Sequence, residues 1–375
     1  MVERHIRGDT VKQLFEKTNT LGFEMKNRFI RSATWENMTT ETGHMTDELY
    51  DVYETLAKNE VGAIITGYAN IVVEEQPNAG MMGIYDDSFI EEYQELTRRV
   101  HAHGSTLILQ VAYGGTKTTY QVGERTIFAP SAVAELTTNT MGKEMTREEI
   151  KYIVGAFGDA ATRAKASGFD AIQIHGAHTY LINQFLSPYY NRRQDEYGGS
   201  LENRMRFLVE IYEAMRANVG ADYPILVKLT ATDFFEGGLT FDETKIICQT
   251  LENIGVNGIE LSGNVHGKAR GLVGQTFDNI EIKAEGYFSE YGRIISELVN
   301  IPIITVGGFS TLEAMQTILN ETNIEYFSIS RPLLAEPNLI KRWLEGNTSK
   351  VKCVRCSRCR TNIGNYCVVF QKKAQ

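Results

Sequence analysis

The sequence lacks the features of a membrane-spanning or secreted protein. It has no run of about 18 consecutive apolar residues, which a helix needs to cross a bilayer. The N-terminal residues MVERHIRGDTVKQ contain no apolar core of a secretory signal. We therefore expect a cytoplasmic protein with no membrane partner.

Basic residues are also in deficit. The 375 residues include 38 Lys and Arg against 47 Asp and Glu, which gives a formal net charge of −9. A nucleic-acid groove needs a basic stripe that releases phosphate counterions, and an anionic membrane attracts basic segments. The charge balance therefore argues against nucleic acid and predicts a small-molecule or protein partner. Assembly into a homo-oligomer is left open.

Proline and cysteine are scarce. The chain has 7 prolines and 5 cysteines, and no Pro- or Ser-rich linker divides it. Cys248 stands alone, whereas the other four cysteines crowd the C-terminal end, which is not the paired pattern of a secreted disulfide framework. The length allows two ordinary domains or one large barrel.

What the sequence does contain is one theme repeated along the chain: an apolar run, a polar or glycine break, and a stretch with helical spacing. The predicted strands are Arg28–Ala33, Val61–Ile71, Thr106–Ala112, Ala171–His175, Ile225–Leu229, Gly258–Leu261, Ile301–Val306 and Tyr326–Ser330. The predicted helices include Asp47–Asn59, Phe89–His103, Arg147–Ser167, Leu201–Val219, Phe241–Ile254, Ala284–Leu298 and Leu312–Leu319.

Eight such units favour one closed α/β barrel. Apolar runs without alternation suit strands that are covered on both faces, and open doubly wound sheets usually stop at about five or six strands. We predict a single (β/α)8 TIM barrel over residues 1–345. A short cysteine-containing C-terminal extension, residues 346–375, is expected to pack on it.

The densest group of polar residues, His175, His178 and Tyr180, follows the fourth predicted strand. Residues three apart on a helical turn face the same way, so both imidazoles are expected to point at one substrate atom. An imidazole pair can stabilise charge on a carbonyl oxygen, and a phenol can deliver a proton to carbon. Metal ligation and structural hydrogen bonding are the alternatives, but barrel strand ends favour catalysis.

Two further sets of residues follow other predicted strands. Gly307 and Gly308 open a helix whose N–H groups can hold an anion, and Arg331 supplies a cation after the next strand. The alternative for this pair of glycines is an ordinary tight turn. Gln110 can bond the edge of a planar heterocycle, and Lys228 can stabilise negative charge on such a ring. The alternatives for Lys228 are a buried ion-pair partner and a Schiff-base lysine, and these residues alone leave the flavin site and the Schiff base equally open.

The segment GFDAIQIHGAHTYLINQFLSPYYNRRQDEYGGSLENRMRFLVEI, residues 168–211, closely resembles the signature of the Old Yellow Enzyme family. The resemblance continues in the same order through NRFIRSATWE, GAIITGY, ILQVAYGG, VKL, ITVGG and SISRPLLAEP. It implies a TIM barrel that binds FMN at the carboxyl ends of its strands. It also implies an ene-reductase, in which NAD(P)H reduces the flavin and an α,β-unsaturated carbonyl reoxidises it.

The resemblance implies a role for each matching residue. His175 and His178 would bind the substrate's carbonyl oxygen, and Tyr180 would donate a proton to Cα after hydride reaches Cβ. The residues expected to bind FMN are Ser32, Ala33, Thr34, Tyr68, Gln110, Lys228, Gly307, Gly308, Ser330 and Arg331. The substrate itself is left unassigned because the chain departs from the family's usual pattern at Trp35, Tyr113, Thr179 and Ser330.

The C-terminal cysteines allow several interpretations. Their spacing, Cys353-x2-Cys356-x2-Cys359-x7-Cys367, suits an iron–sulfur cluster or a zinc site in a reducing cytosol, or thiols that stay reduced. Larger members of the resembled family carry a 4Fe–4S cluster just after the barrel, and the first three cysteines resemble that motif, although the last gap is shorter. This resemblance implies an alternative function, an FMN-dependent dehydrogenase or demethylase that passes electrons through the tail to a protein acceptor. A flavin-binding redox sensor without turnover is the third hypothesis.

Overall fold

Eight parallel strands close into a barrel in the computed structural model, which describes residues 11–263 and 284–371. The last strand, β8 (Ile324–Ile329), pairs in parallel with the first, β1 (Phe29–Arg31), with Phe327 opposite Phe29, and this pairing closes the ring. The predicted (β/α)8 barrel is thus confirmed. Its strands are β1 (Phe29–Arg31), β2 (Ala63–Ile65), β3 (Thr106–Ala112), β4 (Ala171–Gly176), β5 (Ile225–Thr230), β6 (Gly258–Ser262), β7 (Ile303–Val306) and β8 (Ile324–Ile329).

Helices surround the strands. Thr146 and Thr240 begin two of them with capping boxes, in which each threonine and the glutamate three residues later satisfy each other's backbone N–H groups. None of the helices in the described ranges combines the length and apolar character needed to cross a bilayer. The outer helices are α1 (Asp47–Lys58), α2 (Phe89–His101), α3 (Arg147–Ala166), α4 (Leu201–Val219), α5 (Phe241–Ile254), α6 (Ser289–Leu298), α7 (Leu312–Glu321) and α8 (Leu339–Leu344).

The loops at the carboxyl ends of the strands contain short helices and strands. They are the helices Leu181–Leu186 and Arg331–Ala335 and the strands Ala69–Asn70, Met82–Gly83, Phe128–Ala129 and Lys143–Glu144. Two boundaries differ from the sequence prediction by five residues or more, whereas the others differ by at most two. Strand β2 ends at Ile65 because the chain turns at Gly67, whose N–H donates to Tyr53 Oη over 2.9 Å. Helix α6 begins only at Ser289 because Gly286 has a left-handed φ of 61°.

The interior of the barrel changes from apolar to polar along the strands. Near the amino ends, buried side chains such as Ile30, Ile108 and Leu226 pack against Leu21 and Met25. Leu21 and Met25 belong to a turn that is closed by hydrogen bonds between the backbones of residues 18 and 25. This turn plugs the amino end of the barrel. Towards the carboxyl ends, the inward side chains are polar, and they reach the cavity described next.

Candidate active site

The carboxyl ends of the strands surround a cavity of about 540 Å³. Every residue to which the resemblance gave a role in binding cofactor or substrate lies in its wall. These residues come from seven of the eight strands or the loops that follow them: Ser32, Ala33, Thr34, Tyr68, Gln110, His175, His178, Tyr180, Lys228, Gly307, Gly308, Ser330 and Arg331.

A buried network of hydrogen bonds forms the floor of this cavity. Lys228 Nζ donates to Glu260 Oε1 and to Ser32 Oγ, each over 3.0 Å. Gln173 Nε2 donates to Glu260 Oε2 over 3.0 Å, and Gln110 Nε2 donates to Gln173 Oε1 over 2.6 Å. Burial alone would raise the pKa of Glu260, but the ammonium of Lys228 and these hydrogen bonds outweigh it and hold that pKa below its usual value. The lysine and the amide are therefore held in fixed positions at the cavity wall.

Three aromatic side chains meet at one side of the cavity. The ring centroid of His175 lies 5.1 Å from that of His178 and 4.7 Å from that of Tyr180. His175 Nδ1 accepts from the N–H of Ala177 over 3.3 Å, so its ring proton belongs on Nε2. Burial, aided by His178 and Lys228, holds the pKa of His175 well below its usual value. His175 is therefore a neutral hydrogen-bond donor.

His175 and His178 lie close together, as predicted, but not because they share a helical turn. His175 lies within strand β4, one residue before its end, whereas His178 and Thr179 both adopt a φ of 61°. This left-handed region is unfavourable for a β-branched residue. The Thr179 N–H donates to Asn183 Oδ1 over 2.7 Å, and Gln184 Nε2 donates to the carbonyl of Thr179 over 2.5 Å. These bonds hold the turn that brings His178 back toward His175.

Tyr180 is linked to a second phenol, Tyr68. Their ring centroids are 5.4 Å apart, and Asn78 Nδ2 donates to Tyr68 Oη over 2.6 Å and to Tyr180 Oη over 3.4 Å. Burial raises the pKa of Tyr180 to about 12, although the hydrogen bond with Tyr68 and the charge of Arg360 oppose the rise. Tyr180 therefore keeps its proton at neutral pH and has neighbours that can stabilise the phenolate.

In another part of the cavity wall, a tightly packed glycine turn lies beside two arginines. Gly307 and Gly308 have φ values of 126° and 70°, and a Cβ on Gly308 would lie 2.7 Å from the carbonyl oxygen of Ala284. Arg355 Nη2 donates to the carbonyl of Gly308, and Arg331 Nη1 donates to Ser357 Oγ over 3.1 Å. Two guanidinium groups beside a turn that admits only glycine suit a phosphate group.

The C-terminal tail covers part of the cavity. Asn365 Nδ2 donates to the carbonyl of Trp35 over 2.6 Å, and the Val351 N–H donates to the carbonyl of Ser310 over 3.0 Å. Cys353 and Cys359 reach the cavity wall. These contacts join the tail to loops at the carboxyl ends of strands β1 and β7.

The tail thiols lie near one another. Burial raises the pKa of Cys359, and the thiols of Cys353, Cys367 and Cys356 raise it further. Within residues 11–263 and 284–371, however, no group of three or more His, Cys, Asp or Glu side chains is arranged to hold a metal ion. The metal or cluster site therefore stays a prediction.

Several residues of the site were missed from the sequence. Gln173 and Glu260 belong to the floor, and they pair in register with Gln110 and Lys228 on the neighbouring strands. A polar residue at alternate positions of an otherwise apolar strand is the signal that marks them as inward-facing. Wall residues without an assigned role in binding flavin or substrate include Trp35, Lys117, Ser262, Arg355, Arg360 and Asn365.

Comparisons with known proteins agree with this geometry. Residues 13–349 match the profile of the NADH:flavin oxidoreductase / NADH oxidase family. An NADH oxidase from Thermoanaerobacter brockii is 35% identical over 348 residues, which cover 92% of this chain and 52% of that protein. An NADPH dehydrogenase from Clostridium acetobutylicum is 33% identical over 329 residues, which cover 88% of this chain and 93% of that protein.

A solved structure supports the fold. The complex of 2-naphthoyl-CoA reductase with 2-naphthoyl-CoA matches with a TM-score of 0.83 at 24% identity, over 90% of this chain and 53% of that one. The chain spans about half the length of this reductase and of the NADH oxidase. Because the family profile and the NADPH dehydrogenase both match across most of the sequence, the chain belongs to the NADH:flavin oxidoreductase / NADH oxidase family, the Old Yellow Enzyme family of FMN-dependent, NAD(P)H-linked oxidoreductases.

Proposed function

We propose that the protein is an FMN-dependent ene-reductase. In the overall reaction, NAD(P)H and one proton reduce the C=C bond of an α,β-unsaturated carbonyl, with hydride added at Cβ and the proton at Cα. The observation that carries this proposal is the meeting of neutral His175, His178 and protonated Tyr180 in one cavity.

The cavity wall suits FMN. The turn at Gly307 and Gly308 leaves no room for a Cβ, and Arg331 lies in the same wall, so this end would hold the phosphate. Gln110 and Lys228, fixed by the buried network, would meet the flavin ring. When bound, FMN supplies a two-electron carrier that accepts hydride from NAD(P)H and returns it to the substrate.

The protein's own groups would act on the substrate's carbonyl and α-carbon. His175 Nε2–H and the His178 imidazole would donate to the carbonyl oxygen, which withdraws electrons from the alkene and makes Cβ electrophilic. Tyr180 would then transfer its phenolic proton to Cα. Hydrogen bonds from Tyr68 and Asn78 to Tyr180 Oη would stabilise the phenolate until it regains a proton.

An absorption spectrum recorded without oxygen tests this function. The purified protein should be yellow, lose its flavin band when NADH or NADPH is added, and regain it with cyclohexenone. A colourless protein that takes up no FMN would overturn the proposal. A protein that binds FMN but reduces no alkene would indicate a redox sensor or the second candidate below.

The second candidate is an FMN-dependent dehydrogenase or demethylase that passes electrons to a protein acceptor through a centre at the C-terminal cysteines. It is favoured by the gathering of three thiols around Cys359 and by the position of Cys353 and Cys359 in the cavity wall. Iron and sulfide analysis of anaerobically prepared protein tests it. Cys359→Ser should remove any bound iron, whereas Cys248→Ser, at a buried cysteine of helix α5, is the matched control. Protein without iron or sulfide would exclude a cluster.

A further inference from the structure

Among the described residues, the charged side chains that line the cavity are all basic. Five cations line it, and in the described ranges no aspartate or glutamate does, although the whole chain has a net charge of −9. The cations are Lys117, Lys228, Arg331, Arg355 and Arg360. Counter-charges for these cations can come from side chains behind the wall, from solvent ions or from bound molecules.

Both lysines have their counter-charge in the protein. Lys117 Nζ lies 2.8 Å from Oε1 of Glu135, and Lys228 Nζ lies 3.0 Å from Oε1 of Glu260. Both glutamates are buried, so each ion pair is shielded from salt. Neither lysine therefore contributes a large uncompensated charge to the cavity.

Two arginines, Arg331 and Arg355, lie at the end of the cavity where the phosphate of FMN is expected, and that phosphate would be their counter-charge. Arg355 donates to the carbonyl of Gly308, and Arg331 donates to the hydroxyl of Ser357 in the same tail segment. A phosphate dianion at the glycine turn would provide the charge that both guanidinium groups can bind.

Arg360 faces different neighbours. Its guanidinium carbon lies 5.8 Å from the centroid of the Trp35 ring, in a cation–π arrangement. Its charge reaches Tyr68 and Tyr180, since it favours the ionised form of both phenols. No carboxylate in the described part of the chain forms an ion pair with it. Arg360 is thus a cation beside the expected proton donor that has no counter-charge among residues 11–263 and 284–371.

We propose that Arg360 binds a carboxylate on the substrate, so that this site selects alkenes carrying an acid group in addition to the activating carbonyl. This inference rests on the proposed ene-reductase function and names its substrate class. The carbonyl would lie between the two histidines, and the carboxylate would accept the paired N–H groups of the guanidinium. The Trp35 ring, 5.8 Å from the guanidinium carbon, would support that group from one side.

Matched substrates test the proposal. The protein with FMN bound is assayed with cinnamaldehyde and with 3- and 4-carboxycinnamaldehyde, which differ only in the acid group. At least one acid should have a higher kcat/KM than cinnamaldehyde, and added salt should reduce this preference. Arg360→Gln should lower the ratio of acid to neutral kcat/KM about tenfold. Arg360→Lys should retain much of the ratio because it keeps the charge.

Arg358→Gln is the control. Arg358 is an exposed arginine of the same tail that does not line the cavity, so its loss should not change the ratio. Equal kcat/KM for acids and aldehyde in the unaltered protein would overturn the proposal, as would an unchanged ratio in Arg360→Gln. A change confined to KM for NAD(P)H would also overturn it, because Arg360 would then serve the diphosphate of the dinucleotide.

A binding measurement separates this inference from the proposed function. Calorimetry compares 4-carboxybenzaldehyde with benzaldehyde, neither of which has an alkene to reduce. The acid should bind about tenfold more tightly, and Arg360→Gln should remove the difference. If no alkene is reduced but this difference is found, the ene-reductase proposal fails and the anion site stands. If alkenes are reduced but both aldehydes bind equally, the anion site fails.

Discussion

Lys228 Nζ lies 3.0 Å from Glu260 Oε1, and both side chains are almost completely buried inside the barrel. An ion pair in such a place is stable only while both charges are present, because the loss of one leaves the other desolvated without a partner. The pair therefore links the stability of the barrel to the floor of the proposed flavin site.

Lys228→Met should lower the free energy of unfolding by about 3–5 kcal/mol. Lys228→Met combined with Glu260→Gln should recover a substantial part of this loss, because no unpaired carboxylate stays buried. Urea denaturation of the two variants and the unaltered protein measures both effects. A double variant as unstable as the single one would show that the ion pair is not the cause.

Tyr180→Phe should slow alkene reduction by about 100-fold or more, since proton donation from a positioned acid typically contributes at least that factor. Reduction of the flavin by NAD(P)H should change little, because it needs no proton from this phenol. Stopped-flow absorbance measures the two half-reactions separately. Tyr223→Phe is the control, as Tyr223 is buried, donates to the carbonyl of Phe169 over 2.9 Å and lies outside the cavity wall. Equal slowing of both half-reactions in Tyr180→Phe would contradict the role of proton donor.

The depressed pKa of His175 predicts how stability depends on pH. Below the usual histidine pKa of about 6.5, the unfolded chain binds a proton at this position that the folded protein resists. His175 therefore makes the folded protein less stable as the pH falls from 7 to 5. His175→Asn should gain stability relative to the unaltered protein over this interval, as measured by urea denaturation at each pH.

His101 provides a control, because its effect on stability should change with pH in the opposite direction to that of His175. Its hydrogen bond to Asp170 raises its pKa, so its stabilising effect is full below pH 6.5 and is lost as the pH rises through the folded-state pKa. His101→Asn should therefore cost more stability at pH 5 than at pH 7. Parallel pH profiles for the His101 and His175 variants would contradict at least one of the two assignments.

Gly308→Ala should weaken FMN binding. The new Cβ would lie 2.7 Å from the carbonyl oxygen of Ala284, and the shift needed to relieve such crowding costs about 1–3 kcal/mol, or about a ten- to hundredfold loss of affinity. Fluorescence titration with FMN measures the effect. Gly104→Ala is the control, because Gly104 shares a positive φ, 68° against 70°, but has open space around its Cβ position. Similar FMN affinity in both variants would argue against the glycine turn as the phosphate site.

Much of this architecture was predictable because it depends on short-range patterns. Apolar runs such as Thr106–Ala112 marked the strands, and the glycine pair at 307–308 marked a backbone that comes close to another group. The proximity of His175 and His178 was also anticipated, but the geometry was not. Two successive left-handed residues bring them together, and that conformation depends on bonds from Asn183 and Gln184 on the following helix.

The position of the tail was harder to predict in detail. Arg360 and Trp35 are far apart in sequence, and nothing in either segment specifies that one will lie over the other. Their contact depends on where the tail crosses the barrel, which is fixed by bonds such as that from Asn365 to the carbonyl of Trp35. A contact such as that between Arg360 and Trp35 is determined by tertiary packing. The sequence shows that an arginine and a tryptophan are present, but it does not show that they are neighbours.

The turn that carries Leu21 and Met25 plugs the amino end of the barrel, and among the described residues the cavity is lined by the carboxyl ends of the strands and by the segments that follow them. In the proposed ene-reductase, the dinucleotide and the alkene would both enter from the side of the carboxyl ends and would use the same space in turn. The oxidised dinucleotide would leave before the alkene enters, and each compound should inhibit competitively against the other at high concentration. Double-reciprocal plots of initial velocity should then consist of parallel lines.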